Sequence, residues 1–162
     1  MDTARKLPPS EASDTSSEPL SESSDTSSEP QPADCKVLVV DDYDDAREMY
    51  AEYLEFLGYQ VQTARDGQEA VTLAQQSHPD VILMDLSLPV VSGWEATRQL
   101  KLDASTRHIP VMALTGHVLP AHSEKAKEVG CDEFVSKPAL PDAVANKIRA
   151  LLQKTGSKPR SR

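Results

Sequence analysis

No stretch of this 162-residue sequence approaches the ~20 consecutive apolar residues needed to cross a bilayer. The first residues are polar and acidic and lack the apolar core of a secretory signal, so a cytoplasmic protein is expected. Cysteine is scarce. Cys35 and Cys131 form no spaced motif, which points to two reduced thiols rather than a disulfide or a thiolate metal site. Basic residues are outnumbered, 17 against 26 acidic, and the net charge of −9 argues against broad nucleic-acid binding, which needs a basic surface to displace counterions.

The charge that is present is unevenly spread. Residues 1–34 carry eight acidic and two basic side chains, the run Lys154–Arg162 carries four basic ones and no acid, and the segment between them is left with −7. Residues 1–34 also hold nine serines and five prolines, with no aromatic and no β-branched apolar residue. Such a segment buries too little apolar surface to offset its ordering entropy, and a disordered leader is expected there. Within it Ser10–Pro19 recurs as Ser21–Pro30 with only Ala12 replaced, by Ser23. A repeat this short and polar has nothing to stack into a solenoid, and a solvating leader is the plainer reading over an interaction tail or a set of modification sites.

From Lys36 the texture changes to an alternation of strands and helices. Val37-Leu38-Val39-Val40 reads as a buried strand ending at Asp41-Asp42. Ala46, Met49, Tyr50, Tyr53, Leu54 and Leu57 then fall on one helical face, with Gly58 as the stop. Tyr59–Ala64 reads as a second strand, the turn Asp66-Gly67 leads into a helix over 68–76, and the all-apolar Val81–Met84 reads as a third strand, ending at Asp85. A third helix is expected from about Trp94, a fourth strand over Ile109–Leu114 with Pro110 near its start, and a fourth helix over Pro120–Val129. A short strand Glu133–Ser136 and a last helix Pro141–Leu152 complete the pattern. Five strand–helix pairs imply an α/β fold, a parallel sheet with helices on both faces and right-handed crossovers. In such folds the working site lies beyond the carboxyl ends of the strands.

Those ends carry a consistent chemistry. The first strand ends in Asp41 and Asp42, the third in Asp85, the fourth in Thr115, and the fifth runs into Lys137-Pro138. Three carboxylates in one crevice repel each other and call for a cation, and an all-oxygen site suits a hard ion such as Mg²⁺. A lysine and a threonine hydroxyl beside them suit a polyoxygen anion. A carboxylate nucleophile, a metal and a lysine are the parts needed to form an aspartyl-phosphate. Singly each residue has a plainer reading: Asp42 or Asp45 would serve as a helix cap, Thr115 as a strand end, Lys137 as a solvated loop residue. It is their joint placement that points to chemistry.

The segments Val39-Val40-Asp41-Asp42, Leu83-Met84-Asp85-Leu86-Ser87-Leu88-Pro89, Ser92-Gly93-Trp94, Ala113-Leu114-Thr115-Gly116 and Gly130–Pro138 resemble the receiver domain of bacterial two-component response regulators over Lys36–Leu152. The resemblance implies a doubly wound, flavodoxin-like sheet of strand order 2-1-3-4-5. It implies Asp85 as phosphoacceptor, and Mg²⁺ held by Asp42, Asp85 and the backbone carbonyl of Ser87, with Asp41 acting mainly through water. Thr115 would bond a phosphoryl oxygen, Lys137 would pair with the phosphoryl group and Asp85, and Phe134 would be the switch aromatic, here without the hydroxyl of the commoner Tyr. Ser87 and His117 stand where the family tunes the lifetime of the phosphoryl group, and the Lys137-Pro138 bond is expected to be cis.

The domain division that follows is a leader over 1–34, a receiver over 35–152 and a basic tail over 153–162. No output module is visible after the last helix, so a single-domain regulator is expected, as in chemotaxis and phosphorelays. Its donor would be a histidine kinase or histidine phosphotransfer protein and its target a downstream protein, with no nucleic acid and no membrane insertion, as a monomer or a phosphorylation-dependent dimer. It would catalyse no reaction beyond its own phosphoryl transfer and dephosphorylation. A phosphohydrolase of similar fold would need an aspartate where Ser87 stands. A dinucleotide-binding sheet would need a Gly-rich loop where Asp41-Asp42 would repel a pyrophosphate. A receiver-like adaptor that acts without phosphorylation is the remaining alternative, although such domains usually lose one of the five site residues and this chain keeps them all.

Overall fold

The β-branched run after Cys35 forms an inner strand of the sheet in a computed structural model that describes residues 32–116 and 120–154. The elements follow in strict alternation: β1 (Lys36–Val40), α1 (Asp44–Phe56), β2 (Gln60–Ala64), α2 (Gly67–Ser77), β3 (Val81–Asp85), α3 (Gly93–Leu102), β4 (Val111–Thr115), α4 (Pro120–Val129), β5 (Glu133–Ser136) and α5 (Pro141–Lys154). All strand pairs are parallel and the sheet order is β2-β1-β3-β4-β5. The expectations for the leader up to Gln31, for the tail from Thr155 and for His117 lie outside the described residues.

Because side chains alternate across a strand, the apolar runs supply two cores at once. Val37, Val39, Val81, Leu83, Met112 and Leu114 point to one face and pack with Tyr50 and Leu54 of α1 and Val144, Ile148 and Leu151 of α5. Leu38, Val40, Ile82, Met84 and Val111 point to the other and pack with Ala70 and Ala74 of α2 and Ala96 and Leu100 of α3. Fully burying an aliphatic side chain contributes about 1.5–3 kcal/mol, so the three inner strands dominate the stability of the sheet. The edge strands β2 and β5 carry exposed Gln60, Thr63 and Ser136, polar residues that discourage further strand pairing. No helix among the described residues is long and apolar enough to cross a membrane.

Helix α4 is held differently from the others. Among its described side chains only Ala126 is buried, while Lys125 Nζ lies 4.8 Å from the centre of the Trp94 ring on α3. Over its described side chains, 124–129, the helix buries little apolar surface, and such a segment sits at the less stable end of a fold.

Several boundaries differ from the sequence expectations: β2 begins at Gln60 rather than Tyr59, and α2 gains Gly67 and Ser77 at its two ends. β4 begins at Val111, because Pro110 has no N–H to enter the ladder; Ile109 is buried against the second core without being part of the strand. Helix α5 runs to Lys154, two residues further than its apolar face required. At the start of α1 neither Asp42 nor Asp45 caps the helix: Tyr43 occupies the cap position with no side-chain cap bond. Asp41 instead accepts from the Tyr43 N–H at 3.0 Å, and Arg47 donates to the Asp41 carbonyl at 3.0 Å. Asp66 and Ser92 do cap α2 and α3, accepting from the N–H groups of Glu69 and Glu95.

Candidate functional site

Parallel strands deliver their last residues to one edge, and here those residues are charged. Asp41 follows β1, Asp85 ends β3, Thr115 ends β4 and Lys137 follows β5. The sheet therefore gathers residues 96 positions apart, Asp41 and Lys137, into a hydrogen bond of 3.2 Å between Lys137 Nζ and Asp41 Oδ2. The same ammonium donates to Asp85 Oδ2 at 3.3 Å.

Carboxylate oxygens of Asp41, Asp42 and Asp85 lie within 4.8 Å of one another, with Asp41 and Asp85 buried and Asp42 exposed. Three anions against one cation leave excess negative charge in a crevice opening to solvent on the Asp42 side. An all-oxygen donor set with an open side is the chemistry preferred by Mg²⁺, which keeps several waters and binds through one or two carboxylates. The residues present fit such an ion.

The electrostatics of the pair are shaped by burial. Asp85 is 4% exposed. Burial pushes its carboxyl above the ordinary carboxylate range; the Ser87 N–H, bonded to Oδ1 at 3.0 Å, and the Lys137 ammonium pull the other way, and Asp41 raises it further. Burial alone would lower the Lys137 ammonium, but Asp85 and Asp41 together outweigh it and hold the group above the usual lysine value. A lysine fixed in its charged form next to a carboxylate is an anion-binding element as well as a counter-ion.

Among the described residues, Thr115 ends β4, Ser87 follows β3 and Phe134 lies on β5. Thr115 is buried and its carbonyl accepts from the Lys137 N–H at 2.6 Å. Ser87 is exposed in the loop after β3. Phe134 is half-buried on β5 opposite Ala113, and the alternation of β4 places Thr115 on the same face of the sheet as Ala113 and Phe134. The Lys137-Pro138 bond is cis. Close approach at this edge depends on glycine: a Cβ on Gly93 would stand 2.1 Å from the Asp85 carbonyl oxygen. One residue near the site was read only as part of a helix's apolar face. Tyr50 is buried, and its hydroxyl donates to the Ala139 carbonyl at 2.8 Å. The available signal was the type itself, since a tyrosine on a core-facing position needs a partner for its O–H.

The profile of the response regulator receiver domain family matches residues 37–149. The polar-differentiation response regulator DivK of Brucella ovis is 41% identical over 116 residues, covering 72% of this chain and 94% of the relative. Among solved structures, the chemotaxis response regulator CheY4 of Vibrio cholerae is 33% identical with a TM-score of 0.70, covering 73% of this chain and 98% of that one. The receiver domain of a sensor histidine kinase from Pseudomonas aeruginosa, solved with a magnesium ion coordinated in its active-site cleft, is 32% identical with a TM-score of 0.66 over 76% of this chain and 98% of that one.

Proposed function

The chain belongs to the response regulator receiver domain family, and from that premise we propose that it accepts a phosphoryl group on Asp85 and signals through a contact with another protein that depends on it. The observation that carries this reading is the placement of Asp85: a buried carboxylate at a strand end, 3.3 Å from a charged lysine and clustered with two further carboxylates.

The donor of this reading is a histidine kinase or histidine phosphotransfer protein. An Asp85 oxygen bonds to phosphorus as the donor's nitrogen–phosphorus bond breaks, and the released nitrogen takes a proton from solvent. Asp42, Asp85 and the Ser87 carbonyl would hold Mg²⁺ in this reading, with Asp41 acting mainly through water. When bound, the ion offsets the charge of the carboxylates and of the incoming phosphoryl oxygens. Lys137 already stands at hydrogen-bond distance from Asp85 and pairs with a phosphoryl oxygen there, and the Thr115 hydroxyl binds another.

The rim of the site suits a protein donor. Tyr43, Val90 and Leu140, in the loops after β1, β3 and β5, are 65%, 82% and 70% exposed. Val90 takes φ 66, a left-handed conformation that a β-branched residue rarely adopts. Strain of this kind, displaying an apolar side chain to solvent beside a reactive site, supports a contact role. Output in this reading runs through α4, β5 and α5. Thr115 moves towards the phosphoryl group, Phe134 on the same face takes up the vacated space, and α4 changes its packing. Ser87 and His117 tune how long the phosphoryl group survives.

Incubation with a small phosphodonor and Mg²⁺, followed by borohydride trapping and mass spectrometry, tests the assignment. Label on Asp85 alone, lost in Asp85→Asn and in excess chelator, is expected. Label that survives either change overturns it.

A further inference from the structure

We infer that Tyr50, a core residue of α1, is a positioning residue for Lys137, acting through the hydrogen bond from its hydroxyl to the Ala139 carbonyl. The inference rests on the reading of the site as a phosphoacceptor centre and adds to it a residue outside the acidic cluster.

Lys137 has to be held if its ammonium is to meet both carboxylates, because a lysine side chain is long, flexible and readily drawn into water. The backbone beneath it has two anchors. Upstream, its own N–H donates to the Thr115 carbonyl at 2.6 Å, continuing the β4–β5 ladder. Downstream, β5 has ended, and Pro138 has no N–H to offer. Two residues on, the Ala139 carbonyl accepts from Tyr50 Oη at 2.8 Å, a bond spanning 89 positions of sequence. The Tyr50 ring is 3% exposed and packed in the core between α1, α5 and the sheet, so its hydroxyl is a fixed point rather than a mobile one. The turn carrying Lys137 is thereby pinned on both sides, and the ammonium stays 3.2 Å and 3.3 Å from its carboxylates.

The hydroxyl belongs to the electrostatic surroundings of the site. Burial raises it above the usual tyrosine value, and the charges of Lys137, Asp41 and Asp85 all act on it. At neutral pH it is therefore a proton donor. On an otherwise apolar core face a leucine or phenylalanine would fill the space, and what the tyrosine adds is this one donor.

Tyr50→Phe removes the hydroxyl and keeps the ring. Three measurements on the full chain decide the role. The initial rate of phosphorylation by a small phosphodonor in saturating Mg²⁺ is expected to fall about three- to tenfold, while the Mg²⁺ dissociation constant is unchanged. In a Lys137→Met background the same substitution is expected to have no further effect on the rate, since it acts through the lysine. In the metal-free protein the Lys137 Cε resonance is expected to move towards that of a solvated lysine. A lower thermal midpoint with rate and Lys137 resonance unchanged would overturn the inference and leave Tyr50 as a core residue. So would an equal loss of rate in both backgrounds. If the wild-type chain takes no label at all, the phosphoacceptor reading fails, and the Lys137 resonance alone decides whether Tyr50 positions the lysine.

Discussion

Lys137 Nζ stands 3.3 Å from Asp85 Oδ2 although 52 residues separate them, and it shares itself with Asp41 at 3.2 Å. One cation thus serves two buried anions, with Asp42 adding a third carboxylate at the open side. Charge held this way is unfavourable until a cation or a reaction relieves it, and the first two predictions follow from that imbalance.

Asp85→Asn is expected to stabilise the metal-free fold. Burial raises the Asp85 carboxyl above its unfolded value, so the folded state binds that proton more tightly than the unfolded one does. The resulting penalty is fully present above the folded value and relieved as pH falls through it towards the unfolded value. At pH 7.5 the substitution should raise the thermal midpoint, with the gain shrinking as pH is lowered through the Asp85 titration. Melting curves between pH 4 and 8 in chelator check this, and a lower midpoint at pH 7.5 refutes it.

Mg²⁺ is expected to raise the midpoint of the wild-type protein and to do so far less in Asp85→Asn, since ligand binding stabilises the state it binds. Binding should weaken as pH falls and Asp85 takes up its proton. Titration followed by the fluorescence of the single tryptophan, Trp94, or by calorimetry gives both numbers. Equal stabilisation of the two proteins would place the ion elsewhere.

Thr115→Ala separates acceptance from output. It should still take label on Asp85, but lose most of the amide shifts that beryllofluoride, a phosphoryl mimic, induces in α4 and β5. The comparison is made by NMR on both proteins. Equal shifts would mean that Thr115 and Phe134 are core residues and that the coupling runs elsewhere.

Gly93→Ala tests how tightly the site edge is built. The added Cβ would meet the Asp85 carbonyl oxygen at 2.1 Å and Leu86 Cα at 2.6 Å, both backbone, which cannot step aside cheaply. A loss of about 1–3 kcal/mol in denaturant unfolding and weaker Mg²⁺ binding are expected. Gly116→Ala, whose Cβ would meet nothing within 4 Å, should leave both nearly unchanged. Similar costs at the two positions would contradict the packing described.

Deleting residues 1–31 should leave the thermal midpoint and the phosphorylation of Asp85 unchanged, since the composition of that segment offers no core. The cut spares the 3₁₀ turn Pro32–Asp34, where the Ala33 carbonyl accepts from the Gln60 side chain at 2.8 Å. A drop of several degrees would show that the leader docks on the domain.

The alternation of apolar runs with amphipathic segments was enough to read five strand–helix pairs, because period and burial are local properties of a chain. It also told which residues end the strands, and hence that Asp41, Asp42, Asp85, Thr115 and Lys137 share an edge. The resemblance in their motifs supplied the strand order. Other features depended on positions brought together only by folding. Whether Asp42 caps α1 or faces the site turned on Tyr43 taking the cap position and Asp41 bonding its N–H. That Tyr50 reaches the turn beyond Lys137 depends on how α1 packs beside α5, a distance no spacing encodes. The direction of the Asp85 shift likewise needed burial, which three dimensions decide. Local periodicity wrote the elements into the sequence, and the crossing of distant chain segments at one sheet edge decided what their side chains do.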